Sequence, residues 1–317
     1  MKPVLLTGAT GFLGRHLLAR LLAARIPVRA LSRSSGLPPE VEIAPGDITS
    51  PADVDRAVQG ASAIYHLAGV VSRNPADLPW LERVHVHGTR HLCDAAARHG
   101  VPKMVLVSTS GAIAVSRRPI PLDESAPYPD ALVARWPYYV TKIAAEKLAL
   151  TYPFVTVVNP ALLLGPGDVR RSSTGDIQAL LDGQILSLPT GGLCFVDVRD
   201  VAAATIAAME RGKPGERYLL GAANWDFRQL ADAVGRLAGI RTPRLKSPTW
   251  LSLLLAPLLR RLMPLAGRRF DIDDVTIQMA GCFWYCDWRK AQRELDFHPR
   301  DPLETLRDTI LDLERRP

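Results

Sequence analysis

Tyr138 and Lys142 stand four residues apart in Trp136-Pro137-Tyr138-Tyr139-Val140-Thr141-Lys142, where a helix is predicted from Trp136-Pro137 through Leu150. Side chains four apart leave the same helix face, so the phenol and the ammonium are expected together, with Tyr139 rotated away. A free phenol has a pKa of about 10, too high for efficient acid–base work near neutrality. A fixed ammonium nearby favours the phenolate and lowers that value. Ser110 follows the apolar run Lys103-Met104-Val105-Leu106-Val107, and its hydroxyl could orient or polarise a carbonyl oxygen. Ser110, Tyr138 and Lys142 are therefore the candidate catalytic residues. The chemistry would be proton transfer beside a carbonyl.

The amino-terminal residues could hold a cofactor for such chemistry. An apolar run, Pro3 to Thr7, reaches Gly8-Ala9-Thr10-Gly11-Phe12-Leu13-Gly14 and then an Ala/Leu-rich stretch, which reads as strand, tight loop and helix start. Glycines three apart let the backbone approach a pyrophosphate, and the helix N-terminus offers it unpaired N–H groups. The spacing is GxxGxxG rather than the general GxGxxG. A second strand, Val28 to Leu31, ends at Ser32-Arg33, where an NAD-binding chain usually carries an acid for the ribose hydroxyls. A carboxylate would repel a 2′-phosphate, whereas a guanidinium can grip it. The reading therefore favours NADP, with NAD as the alternative and a plain loop charge as the other account of Arg33. His66 reads as a satisfied core histidine in preference to a catalytic base.

Strands at 41–44, 63–69, 103–107 and 154–158 alternate with helices at 15–25, from Pro51 behind a Ser50 cap, and across 78–99. This alternation predicts an α/β fold, a doubly wound parallel sheet of right-handed βαβ units. Ligands of such sheets sit at the carboxyl ends of the strands, where Ser110 falls. Residues 116–137 are rich in proline and read as a long surface loop, and Leu162 to Asp168 as a turn. The expected division is a dinucleotide-binding domain at 1–165 and a mainly substrate-binding lobe at 166–317. Strands within 193–221 are expected to return to the first sheet, around a helix opened by Asp200, and a last helix spans 302–314. Trp250 to Leu265 is leucine-rich but too short, and too interrupted by Pro257, to span a bilayer. It could pack within the lobe, line a greasy substrate pocket or lie on a membrane surface.

The chain has 317 residues, is 47% apolar and carries a net charge of +7, which suits either a solvated basic surface or a phosphorylated cofactor. No Lys/Arg block resembles a nucleic-acid site. Cys93, Cys194, Cys282 and Cys286 lack CxxC spacing and neighbouring His pairs, so no metal or disulfide framework is expected. Met1-Lys2 leads directly into a strand, and the expected location is cytoplasmic.

Taken together, the motifs resemble the extended short-chain dehydrogenases/reductases, the NAD(P)-dependent epimerase/dehydratase superfamily. They are Thr7 to Gly14, Gly46-Asp47-Ile48, His66-Leu67-Ala68-Gly69, Gly88-Thr89, Val107-Ser108-Thr109-Ser110, Tyr138 to Lys142, Asn159-Pro160, Gly165-Pro166-Gly167, Phe195 to Ala202, and Trp288 to Ala291 with Glu294-Leu295. The resemblance implies a seven-stranded sheet, a smaller lobe over the active site, and Ser110, Tyr138 and Lys142 as the catalytic trio. It also implies cofactor contacts from Gly8, Thr10, Gly11, Phe12, Leu13, Gly14, Arg33, Leu67, Ala68, Gly69, Ser108, Asn159, Pro160 and Leu162, with Asp47 and Ile48 beside the adenine. Homodimers recur in that family. Arg33, Asn159-Pro160 and the C-terminal half look most like the dihydroflavonol reductases and the related hopanoid-associated branch.

Two departures narrow the substrate. Sugar-nucleotide dehydratases carry an Asp-Glu pair beside the active-site Ser/Thr, where this chain has Gly111-Ala112. Sugar-nucleotide enzymes also tend to place an Asn where Leu162 stands, and an apolar site is a poor host for a diphosphate. His85 replaces a customary helix Asn. The expectation is an NADP-dependent oxidoreductase moving hydride between the nicotinamide and a carbonyl or alcohol carbon of an apolar small molecule. An NAD-dependent nucleotide-sugar epimerase and a non-catalytic NADP-binding scaffold are the alternatives.

Overall fold

The computed structural model describes residues 2–262 and 273–315. Buried apolar runs set the strands of the first half. β1 (Val4–Thr7) leads through the glycine loop into α1 (Phe12–Ala23), followed by β2 (Val28–Ser32) and β3 (Glu42–Pro45). α2 (Pro51–Val58) starts on Pro51, with the Ser50 hydroxyl accepting from the Asp53 N–H, and leads to β4 (Ile64–His66). The helical stretch after it is interrupted: α3 (Leu78–Glu82) passes through a wide π turn at Arg83–His87 into α4 (Gly88–Arg98). β5 (Met104–Val107), the short α5 (Asp130–Val133), α6 (Pro137–Ala149) and β6 (Val155–Pro160) complete this half.

The second half supplies β7 (Leu162–Leu164), α7 (Gly175–Leu181), β8 (Leu188–Pro189), β9 (Gly192–Asp197), α8 (Val198–Arg211), β10 (Arg217–Leu220) and β11 (Ala223–Asp226). After these come α9 (Phe227–Ala238), β12 (Lys246–Ser247), α10 (Thr249–Leu262), α11 (Asp274–Ala280), β13 (Phe283–Trp284), α12 (Arg289–Leu295) and α13 (Pro302–Glu314).

Seven strands form one parallel sheet in the order β3-β2-β1-β4-β5-β6-β10. The order reverses between β1 and β4, which opens a crevice at their carboxyl ends. Apolar side chains cover both faces. Leu17 and Leu21 of α1 join Val201 and Ala202 of α8 on one side, and Val54 of α2 joins Leu92 and Ala96 of α4 on the other. A separate core of Leu164, Phe195, Leu230 and Leu306 fills the lobe.

Three expectations need correction. Of the two strands expected to return to the main sheet, only β10 does; β9 pairs with β7, β11 and β13 in a four-stranded sheet of the lobe. Its six residues are all buried, so the sequence shows an apolar run that either sheet could accept. Leu162–Leu164 is strand β7 rather than turn, and the turn begins at Gly165. The helix after β9 is capped by Asp197, not Asp200, whose carboxylate instead holds Arg300. Residues 116–137 are also more than a surface loop. The Leu122 N–H donates to Tyr285 O at 3.0 Å, and the Leu219 N–H to the Glu124 carboxylate at 2.7 Å. This segment stitches the lobe to the sheet. Residues 263–265 of the leucine-rich stretch lie outside the described residues.

Candidate active site

The glycine loop is shaped by contact. Gly8 has φ +75°, and a Cβ there would lie 2.8 Å from Ala68 N and from Leu67 C, at the end of neighbouring β4. α1 begins after Gly11, which has no side chain to cap it, so its first N–H groups lack a side-chain partner. The Thr7 hydroxyl fixes the facing loop, accepting from Leu67 N–H at 3.2 Å and from Ala68 N–H at 3.1 Å. It also meets His66 Nδ1 at 2.8 Å, while His66 Nε2 meets the Thr89 hydroxyl at 3.0 Å. With two N–H groups already donating to Thr7 Oγ1, its own proton goes to Nδ1, so Nε2 carries the ring proton. Burial, reinforced by the Lys142 charge, pushes the His66 pKa down to about 3. His66 is a neutral strut under the loop, as the core reading expects.

At the far end of β2, Arg33 is exposed and its Nη1 lies 3.5 Å from Asp47 Oδ2. Burial opposes the Asp47 charge, but hydrogen bonds from Thr49 and the Arg33 charge outweigh it and hold the pKa below the usual carboxylate range. Ile48 packs its side chain against Gly88, where a Cβ would lie 2.8 Å away. The two residues assigned to opposite ends of an adenosine, Arg33 and Asp47, are thus neighbours.

Lys142 is buried on α6 and donates from Nζ to the Val107 carbonyl, the last of β5, at 2.8 Å. Burial lowers its pKa to about 8, against the opposing pull of Glu146. Tyr138, one turn earlier, departs from expectation: burial raises its phenol to about 12, and the group that pulls it back is the Thr109 hydroxyl, not Lys142. Helical spacing gave the shared face but not the depth of burial on it. At neutral pH this phenol keeps its proton.

The structure also separates two neighbours in the turn after β5. Thr109 faces Tyr138, whereas the Ser110 hydroxyl is buried beside the Cys286 thiol. Thr109 caps the 3-10 turn Ser110–Ala112, its hydroxyl accepting from the Gly111 N–H at 3.3 Å, and a cap residue carries no periodic signal in the sequence.

His85 lies in the π turn, with its ring edge-on to Tyr138 at 5.7 Å. Its Nε2 accepts from Val70 N–H at 3.1 Å, so Nδ1 donates to the Thr141 hydroxyl at 2.9 Å. That hydroxyl donates onward to the Pro137 and Tyr138 carbonyls. Burial, then Lys142 and His66, push the His85 pKa down to about 3. A neutral imidazole thus ties the loop after β4 to the helix that carries Tyr138.

Asn159, expected at the cofactor, gives its amide nitrogen to the Thr109 carbonyl at 3.1 Å and to buried Glu146 at 2.7 Å, while its buried Oδ1 has no protein partner. Tyr139 and Trp284 close over Gly111: a Cβ there would lie 2.2 Å from the Tyr139 ring and 2.8 Å from the Trp284 ring, and the two centroids are 4.9 Å apart. With Trp136 they make an aromatic wall beside Tyr138.

A dinucleotide fits these residues. A Cβ would fill the Gly8 cradle, the α1 N-terminus lacks a side-chain cap, and the buried Ser108 hydroxyl has no protein partner. No group of three or more His, Cys, Asp or Glu able to hold a metal is present among the described residues.

A Rossmann-type sheet with a glycine cradle and a Tyr-Lys pair at its carboxyl edge defines a dinucleotide-dependent enzyme of the extended short-chain dehydrogenase/reductase type. The chain belongs to the NAD dependent epimerase/dehydratase family, whose profile matches residues 4–221. Two relatives span nearly all of it. A Synechocystis protein provisionally named dihydroflavonol 4-reductase is 31% identical, over 96% of this chain and 92% of its own. Sterol demethylase protein B of Methylococcus capsulatus is 32% identical over 96% of both chains. Among solved structures, gox2253 superposes with a TM-score of 0.83 at 28% identity, over 99% of this chain and 98% of its own. The protein is an NAD(P)-dependent oxidoreductase.

Proposed function

We propose that the protein uses NADPH to reduce the carbonyl of an apolar substrate. The observation that carries this reading is the packing of Tyr139 onto Gly111 beneath the phenol of Tyr138. The space a Cβ at Gly111 would fill is taken by an aromatic ring, so the acid that water elimination requires has no room there. The aromatic wall favours carbon over charge: Trp136, Tyr139 and Trp284 offer no partner for a diphosphate. The names of the relatives, a dihydroflavonol reductase and a sterol demethylase protein, agree with a ring-rich apolar substrate.

When bound, the nicotinamide supplies the hydride. Gly8, Thr10, Gly11, Phe12, Leu13 and Gly14 would hold the pyrophosphate, and Leu67, Ala68 and Gly69 the far side of the crevice. Ser108 would give its buried hydroxyl to the cofactor. Arg33 would leave Asp47 for the 2′-phosphate. Tyr138 Oη donates its proton to the substrate oxygen, which also accepts from the Thr109–Ser110 turn. The Thr109 hydroxyl, which already pulls the phenol pKa back, stabilises the phenolate left behind until solvent reprotonates it.

The test is a panel of hydrophobic ketones, aldehydes and sugar nucleotides followed by NADPH absorbance. Net NADPH loss with apolar carbonyls supports the reading. Tightly held NAD with interconversion of a sugar nucleotide and no net cofactor change contradicts it.

A further inference from the structure

The outer face of α10 is apolar where water should meet it. Six of the twelve large apolar side chains exposed among the described residues are Leu186, Leu245, Trp250, Leu254, Leu255 and Leu258. Trp250 and Leu254 are 67% exposed and Leu258 53%, one helical turn after another along one stripe. Leu245, 74% exposed, extends the patch from β12, whose Ser247 hydroxyl meets that of Ser252 in α10 at 2.7 Å. Leu188 N–H bonds Leu245 O at 2.8 Å, which brings the β8 segment and Leu186 alongside. A contiguous patch of this kind marks an interaction surface.

Charge identifies what it meets. From Ile240 to Leu262 the chain carries Arg241, Arg244, Lys246, Arg260 and Arg261 and no acidic residue. Arg241, Arg244 and Arg261 are exposed, while Lys246 and Arg260 reach Asp226 and Asp274. A helix with Trp and Leu on one face and basic residues at its ends matches the boundary between acyl chains and anionic headgroups. Pro257 leaves one helical carbonyl without its N–H partner, which is tolerable at that depth and costly in hydrocarbon. Consistently, no described helix is long and apolar enough to cross a membrane.

We propose that the α10 face docks the protein on an anionic phospholipid surface. The geometry connects this face to the aromatic wall. A Cβ at Gly281 would lie 2.1 Å from the Thr249 hydroxyl at the start of α10, and β13 follows directly with Trp284 against Tyr139. The proposal goes beyond the reductase reading and does not depend on it.

The experiment is sedimentation of the full chain with phosphatidylcholine vesicles, with or without phosphatidylglycerol. The protein should pellet with the anionic vesicles and be released by salt, and acyl-brominated lipid should quench its tryptophan emission. Trp250→Phe should remove most of that quenching. Arg244→Gln and Arg261→Gln should each lower the partition coefficient about fivefold. Leu254→Glu with Leu258→Glu should abolish pelleting while the melting temperature and NADPH affinity stay unchanged, whether or not the protein turns over a ketone. Absence of pelleting at low salt, or pelleting that survives the double Glu variant, overturns the proposal. So does a wild-type dimer that the double variant splits without any vesicle binding, which would assign the face to a second copy.

Discussion

The ammonium of Lys142 is held 2.8 Å from the Val107 carbonyl, at the point where β5 ends and the Thr109 turn begins. One backbone oxygen therefore fixes the ammonium at the foot of the turn that carries Thr109, one helical turn from Tyr138. Burial has brought the Lys142 pKa down to about 8, so the ammonium is lost as pH rises past that value. Reductive kcat should fall above about pH 8 with one proton, and Lys142→Arg should move that fall to higher pH. A flat profile to pH 10 in the wild type would remove Lys142 from the titration.

The two hydroxyls after β5 are separable. Thr109→Val should lower kcat about tenfold or more, since Thr109 faces the phenol, while Ser110→Ala should do less. Steady-state kinetics of both variants on one ketone decide it, and the reverse ranking would restore Ser110 to the role its motif implies.

Gly111→Ala tests the aromatic wall. The added Cβ would lie 2.2 Å from the Tyr139 ring, so overpacking of about 1–3 kcal/mol and a lower Tm are expected. Tyr139→Leu in the same chain should restore much of that loss, a non-additivity that a double-mutant cycle reads directly.

Much of this was legible in the chain. The strands β1, β2, β4, β5 and β6 announce themselves as apolar runs, and Gly8 to Gly14 marks the cradle. What stayed hidden depends on distant partners. Leu122 and Glu124 sit in a proline-rich stretch whose composition says loop, yet their pairing groups come from Tyr285 and Leu219. The direction of the Tyr138 shift was also out of reach, because spacing sets a helix face and only tertiary packing sets its burial.

Two buried histidines make stability acid-sensitive. His66 and His85 titrate near 6.5 when unfolded and near 3 when folded, so the unfolded chain binds the extra protons. Their contribution is complete above pH 6.5 and is lost as pH falls toward 3, with a slope of about 2.7 kcal/mol per pH unit for two protons. His85→Asn should reduce that slope by one proton in denaturant titrations across pH 4 to 6. It should also lower kcat less than His85→Leu, which strands the Thr141 hydroxyl and the Val70 N–H.

Arg33 carries the choice of cofactor. Arg33→Ala should weaken NADPH about 10–100-fold and leave NADH nearly unchanged, because only the former presents a 2′-phosphate. Isothermal titration with both cofactors checks this, and equal losses would assign Arg33 to the Asp47 pair alone.

The central claim is that the half-buried, protonated Tyr138 delivers the proton. Its most direct test is single-turnover loss of NADPH absorbance, comparing the wild type with Tyr138→Phe on the best apolar ketone. A fall in the chemical step of about 10²–10⁴-fold with unchanged NADPH affinity is the predicted result. An unchanged rate would contradict it.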